Sequence, residues 1–320
     1  MRILRTVALL CLPAVALAQR PTLSAAVRQY VTIDAPIVVV RNVRVVDGTG
    51  APPRENQTVV MRDGRIAAVG PSAATVLPQG AHVVDGTGKT VIPGLVMVHE
   101  HMFYPSGQGP VYDEHAYVFP RLYLGGGITT ARTGGSMAPY ADINVGKAIA
   151  SGTIPGPRLD VTGPYLNGPN PFPQMYSLKD AADARRMVNY WADLGATSFK
   201  AYMQITRDQL RAAVDEAHKR GLKVTGHLCS VTFREAAEIG IDNLEHGIAA
   251  ATDFISNKRA DVCPGGLQGV LANMNSSTDT VRASVIRALV DRKVAVTSTL
   301  AVFERFAGER PATPRRILDA

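Results

Sequence analysis

A chain of 320 residues with 46% hydrophobic and 19% charged residues can bury a sizeable core, and this composition excludes a disordered or fibrous protein. The formal net charge of +7 is dispersed, with no block of Lys and Arg interleaved with aromatics, which argues against a nucleic-acid-binding protein. Three cysteines are too few for a disulfide scaffold.

The first eighteen residues stand apart. A basic start, Met1-Arg-Ile-Leu-Arg5, leads into an apolar run over residues 6–18, which is broken only by Pro13 and ends in the small-x-small sequence Ala16-Leu17-Ala18. This is the pattern of an export signal cleaved before Gln19, and it is shorter than the roughly 20 apolar residues that span a bilayer. A lipid anchor at Cys11 is disfavoured because Leu10, not a small residue, precedes it. Removing the signal leaves 32 basic and 27 acidic residues, a net +5. The expectation is a periplasmic or secreted protein without membrane association. Cys229 and Cys263 survive maturation; in an oxidising compartment they can pair, and two buried free thiols is the alternative.

After an extension over residues 19–34, residues 35–92 read as a small β-unit, sandwich-like. Stretches 37–40, 43–46, 58–61 and 65–69 are rich in β-branched residues. Asp47-Gly48, Asp63-Gly64 and Asp85-Gly86 are dipeptides suited to tight hairpin turns. The rhythm changes at Pro93-Gly94. From there short apolar strands alternate with amphipathic helices, the pattern of βα units on a parallel sheet. Seven strands are predicted at 95–99, 129–132, 158–163, 198–202, 223–227, 243–246 and 294–298. Ser177-x-x-Asp180 and Thr206-x-x-Gln209 mark helix starts of the capping-box type, and Gly221 marks a helix end. A closed eight-stranded barrel takes about 250 residues, and residues 304–318 read as a polar helix rather than an eighth strand. The predicted fold is α/β: an incomplete TIM-like (β/α)8 barrel over residues 93–320, truncated before strand eight, beside the small N-terminal β-sandwich part.

Four histidines, His99, His101, His227 and His246, fall at the carboxyl ends of predicted strands, where a parallel barrel gathers its active site. His99 and His101 are two apart, so on an extended strand they face the same way, roughly 6.6 Å apart at Cα. Imidazoles so placed can reach one ion with bonds of about 2.0–2.1 Å. His82, His115 and His218 read instead as structural or solvated. Lys200 lies in the apolar strand Ser198-Phe-Lys-Ala-Tyr202, where a buried ammonium is costly. Beside bound cations it is useful only as the neutral amine, and then as its carbamate. A lysine snorkelling out of the barrel mouth is the alternative.

Pro93-Gly94-Leu95 leading to His99-Glu100-His101 resembles the first barrel strand of the amidohydrolase superfamily. Lys200, Val224-Thr-Gly-His227 and Leu244-Glu-His246-Gly247 are similar to its fourth, fifth and sixth strand ends. Gly127-Ile-Thr-Thr-Ala-Arg132 and Asp63-Gly-Arg-Ile-Ala-Ala-Val-Gly70 are also similar to that family, and the group nearest in pattern holds imidazolonepropionases and Xaa-Pro dipeptidases. The resemblance implies one or two Zn2+ ions, with two favoured by Lys200. His99 and His101 would hold the first, His227 and His246 the second, and Lys200, as a carbamate, both. It implies hydrolysis of an amide bond in a dipeptide, an N-acyl amino acid or a cyclic amide by metal-activated water. Arg132, Tyr165 and Tyr202 are candidates for holding a small-molecule or dipeptide substrate. The family's strand-eight aspartate has no counterpart, since Asp319, the one late aspartate, sits in a helical pattern. A catalytically impaired metal-binding fragment is therefore the alternative. No macromolecular partner is indicated, and a homo-oligomer is compatible with the sequence.

Overall fold

The computed structural model describes residues 21–107, 110–264 and 278–304. The export signal, the predicted helix over 304–318 (apart from Glu304) and Asp319 lie outside these. The chain divides into two compact units, one ending at Pro93 and the other beginning at Gly94. Among the described residues no helix is long and apolar enough to cross a membrane.

In the first unit, strands β1 (Ile37–Val45), β2 (Arg54–Arg62), β3 (Arg65–Pro71), β4 (His82–Asp85) and β5 (Thr90–Val91) form one mixed five-stranded sheet. It runs β3-β2-β1-β4, and β5 also pairs with β1. Stretches 37–40 and 43–46, predicted as separate strands, are one strand with a bulge between them. Asn42 there takes a left-handed backbone (φ 58°), which asparagine tolerates, and the register with β2 shifts. Of the three Asp-Gly pairs only Asp63-Gly64 closes a hairpin, with φ of 49° and 75° as a type I′ turn requires. The other two lie in twin Asp-Gly-Thr-Gly sequences. There the Asp47 and Asp85 carboxylates accept hydrogen bonds from Thr49 and Thr87, two residues on, and so make local turns instead.

The second unit carries the parallel strands β6 (Leu95–Glu100), β9 (Ile128–Thr133), β10 (Arg158–Asp160), β11 (Thr162–Leu166), β12 (Ser198–Ala201), β13 (Lys223–Gly226), β14 (Asn243–Glu245) and β15 (Ala295–Thr297). A short hairpin, β7 (Phe103–Pro105) with β8 (Tyr112–Glu114), follows β6. Spatial order follows chain order: β10-β9-β6 in one sheet, β11-β12-β13-β14-β15 in the other. The predicted third strand is thus split at Val161, its first half paired to β9 and its second to β12. All seven predicted strands are present, and the architecture is α/β of the TIM type.

Helices α1 (Ala25–Arg28), α2 (Val118–Gly125), α3 (Pro139–Ala150), α4 (Ala181–Leu194), α5 (Arg207–Lys219), α6 (Phe233–Ile239), α7 (Asp279–Asp291) and α8 (Leu300–Glu304) complete the described elements, with two short 3-10 turns after β14. The box at Thr206 and Gln209 forms as predicted, both halves bonded, and caps α5. At α4 the cap is Asp180, whose carboxylate accepts from the Asp183 amide; the Ser177 hydroxyl instead donates to the Gly168 carbonyl. Strand alternation then decides the core. Phe199, Val224 and Leu244 point to the helix layer and pack with Leu210, Val214 and Phe233. Their neighbours Lys200, Thr225 and Glu245 therefore face the other way, and all three are buried.

Candidate active site

The carboxyl ends of β6, β12, β13 and β14 open into a cavity of about 920 Å³ lined by His99, His101, Lys200, Tyr202, His227 and His246, among others. The four histidine rings form a chain of contacts. His99 lies 5.1 Å from His101 and 5.0 Å from His246, and His246 lies 4.2 Å from His227, between ring centroids. Tyr202 reaches His227 at 5.1 Å and Tyr165 at 4.6 Å, while Tyr165 also faces His101. Phe103 stacks on His101 and, with Tyr165, Met175, Tyr112 and Phe172, makes an apolar wall.

Two glycines admit this packing. A Cβ on Gly134 would meet the His99 ring at 2.8 Å, and one on Gly135 would strike the Tyr165 ring. Gly135 also has a φ of 112°, which side-chain-bearing residues rarely adopt. Neither glycine was marked by the motif reading; the Gly-Gly pair after a strand was the available signal.

Burial sets the protonation of the cluster. It lowers the pKa of His99, and takes His101 and His227 well below the ordinary imidazole value, with neighbouring cationic groups adding to the effect. His246 falls to about 3 for the same reason, with Lys200 as second cause. Lys200 is 1% exposed, and burial brings its pKa down to about 7 despite the nearby Glu245 charge. The cluster at neutral pH is therefore a set of neutral imidazoles around an amine that is readily deprotonated. Burial raises the Tyr165 phenol well above its usual value and Tyr202 to about 12, so both remain hydroxyl donors.

Three of the imidazoles have their Nδ1 atoms engaged: His99 with Glu245 Oε2 at 2.7 Å, His101 with the Gly135 carbonyl at 3.3 Å, His246 with Thr299 Oγ1 at 2.9 Å. Nε2 is thereby left as the donor atom for a metal ion, the arrangement in which outer groups orient ligating histidines. This donor set fits a metal, but among the described residues no group of three or more His, Cys, Asp or Glu already stands in metal-holding geometry.

Residues 90–259, more than half of the chain, match the Amidohydrolase family. The chain belongs to that family. Members of it generally bind metal ions. Over 88 residues the chain is 35% identical to a dihydroorotase of Pelotomaculum thermopropionicum, a match spanning 28% of this chain and 19% of that protein. A dihydroorotase of Mycobacterium tuberculosis is 34% identical over a stretch of the same length. The solved structure of a Xaa-Pro dipeptidase with bound methionine in its active site is similar at a TM-score of 0.58 and 17% identity, covering 82% of this chain and 79% of that one. The A. niger ochratoxinase is similar at 0.57 and 17%, covering 88% and 81%. At these identities the likeness is one of fold.

In this amidohydrolase the structure brings His99, His101, Lys200, His227, His246, Tyr165 and Tyr202 to one cavity. It does not bring Arg132. That guanidinium donates to the Val98 carbonyl at 2.7 Å and to Glu245 Oε1 at 2.8 Å, and so is occupied within the strand layer. His218 is bonded to Asp242, His115 stacks on Phe119, and His82 lies in β4 of the first unit. The residue that motif reading passed over is Glu245. It is wholly buried, and its signal was strand alternation, which sets it opposite to the core residue Leu244.

Burial alone would raise the Glu245 carboxyl. The His99 hydrogen bond and the Lys200 and Arg132 charges outweigh it and hold the group far below the usual carboxylate range. Cys229, just past the end of β13, is disulfide-bonded to Cys263, which resolves the alternative left by the sequence.

Proposed function

We propose that this chain is a metal-dependent hydrolase cleaving a carbon–nitrogen amide bond in a dipeptide, an N-acyl amino acid or a cyclic amide. The observation that carries the reading is the meeting of His99, His101, Lys200, His227 and His246, drawn from four strand ends, on one cavity. Nitrogen donors with one added anionic bridge suit Zn2+. His99 and His101 would hold one ion, His227 and His246 a second, and Lys200 would serve both. Bound zinc supplies Lewis acidity toward a carbonyl oxygen and lowers the pKa of water towards about 7.

The chain's own residues supply the rest. Lys200, freed of its proton by burial, can attack CO2 through Nζ; an N–C bond forms, one proton leaves to solvent, and a carbamate anion results. That anion turns a costly buried cation into a ligand. Tyr165 and Tyr202, held protonated, offer hydroxyls to a polar group of the substrate. The wall of Phe103, Tyr112 and Phe172 receives an apolar side chain and excludes water. The Cys229–Cys263 disulfide supports an exported, periplasmic or secreted location, since such bonds persist where the surroundings are oxidising.

The test is zinc content and turnover of the purified full chain on Xaa-Pro dipeptides, N-acyl amino acids and cyclic amides. Two zinc ions per chain are expected, with hydrolysis of one of the three classes and loss of both zinc and turnover in Lys200→Ala. Zinc uptake without turnover on any class overturns the hydrolase reading. Zinc uptake unaffected by replacing His99 and His227 together overturns the site.

A further inference from the structure

Glu245 is the most heavily engaged side chain beneath the cavity. Its carboxylate receives hydrogen bonds from four different residues. His99 Nδ1 is 2.7 Å from Oε2; Arg132 Nη2 at 2.8 Å, Asn243 Nδ2 at 2.9 Å and the Thr225 hydroxyl all reach Oε1. Those donors come from β6, β9, β13 and β14. Asn243 extends the network to Thr297 of β15 at 3.2 Å. The carboxylate itself is fully buried. A buried anion with that many partners, from strands so far apart in the chain, is costly to assemble and is held in place by several donors at once.

The consequence falls on His99. Arg132, Asn243 and the Thr225 hydroxyl all donate to Oε1, and the permanently charged Arg132 guanidinium at 2.8 Å favours the ionised carboxylate, which leaves Oε2 as an acceptor toward His99. An acceptor against Nδ1 requires the proton to sit on Nδ1. The lone pair is then on Nε2, the nitrogen a metal needs. Gly134 presses close against the same ring, so its orientation is confined as well.

We propose that Glu245 is the positioning residue that locks His99 in its Nδ1-protonated tautomer, and that Arg132 serves this anchor rather than the substrate. The inference rests on the metal-binding reading of His99 for its purpose, but its core statement concerns the metal-free chain. Glu245→Gln keeps the shape and removes the second acceptor oxygen. Its amide must either turn an N–H toward Arg132, donor against donor, or toward His99, which forces the imidazole proton onto Nε2.

The experiment is two-part. In the metal-free full chain, 15N–1H correlation spectra of the histidine side chains, assigned with His99→Gln, report which nitrogen carries the proton. Chelator competition then gives the zinc affinity of wild type, Glu245→Gln and Asn243→Ala. The wild type is expected to show a protonated Nδ1 and a bare Nε2 at His99. Glu245→Gln is expected to lose that signature and to bind zinc about 10–100-fold more weakly. Asn243→Ala loosens the same network without touching His99, and should melt lower yet keep the wild-type tautomer and affinity.

A His99 protonated on Nε2 in the wild type overturns the proposal, and this measurement stands even if Glu245→Gln fails to fold. Equal zinc affinity in wild type and Glu245→Gln, with both folded, overturns it too. A wild type that takes up no zinc overturns the functional reading instead, and the tautomer alone then decides about Glu245.

Discussion

Reduction of the Cys229–Cys263 disulfide is the perturbation whose size is most directly worked from the structure. The bond joins residues 34 apart in sequence. The loop it closes contains α6 and β14, and so carries Glu245 and His246 within it. Closing a loop of that length removes chain entropy from the unfolded state worth about 4 kcal/mol at 25 °C. The folded loop has other anchors that survive reduction. Asp253 accepts from the Phe233 amide at 2.7 Å and Asp261 from the Arg207 amide at 2.8 Å. The native geometry should therefore persist while the unfolded state gains freedom.

For a unit of this size each kcal/mol moves Tm by about 2–4 °C. Reduction should thus lower Tm by roughly 8–16 °C. The assay is thermal unfolding with and without a phosphine reductant, alongside thiol titration of the denatured chain from Gln19 onward, which lacks Cys11. Two thiols detected before reduction refute the pairing. No thiols before, two after, and an unchanged Tm refute the entropy argument.

Two further outcomes follow from side chains outside the cavity. Glu114 of β8 and Asp142 of α3 form a buried acid pair. Burial, then the Asp142 charge, pushes Glu114 up from 4.5 to about 9, and burial pushes Asp142 up from 3.8 to about 6. Both folded values exceed the unfolded ones, so the folded state holds more protons. This part of the stability is complete below about pH 4 and is lost as pH rises towards 9. Lys200, brought from 10.5 down to about 7 by the fold, gains stability as pH rises and opposes this trend, so the readout is a difference. Glu114→Gln should gain Tm relative to the wild type as pH rises from 5 to 9.5, and a difference that does not change with pH contradicts the pairing. At Gly168 an added Cβ would overlap the Gln204 carbonyl, which is backbone and cannot swing aside. Gly168→Ala should cost about 1–3 kcal/mol in urea unfolding, and a variant as stable as wild type would show that the 204–205 turn yields.

The seven strands were legible because β-branched runs and turn residues mark them locally, and the four histidines because they close those runs. What the sequence hid depends on neighbours. The break at Val161 arises because residues on either side pair with different strands, a choice that no local pattern records. The cap at α4 was misplaced to Ser177 because two capping residues compete there, and the Gly168 carbonyl takes the first. Arg132 looked free for a substrate because its partner, Glu245, is 113 residues away. Lys200 was readable in kind, since an apolar strand must bury it. How far its charge is disfavoured came only with the cavity around it.

His246 and Thr299 follow adjacent parallel strands, and both take left-handed backbones, with φ of 71° and 48°. Histidine enters that region more readily than most side-chain-bearing residues, though still uncommonly, and a β-branched threonine resists it. Each departure costs on the order of 1–3 kcal/mol, and the His246–Thr299 hydrogen bond ties the two together. Glycine would hold position 246 without that penalty. For folding alone, then, this corner is a poor choice of residue, and drift released from any duty to bind would erase it. On the proposed reading, an imidazole on a backbone that works against it is where the molecule would trade ruggedness for a capability.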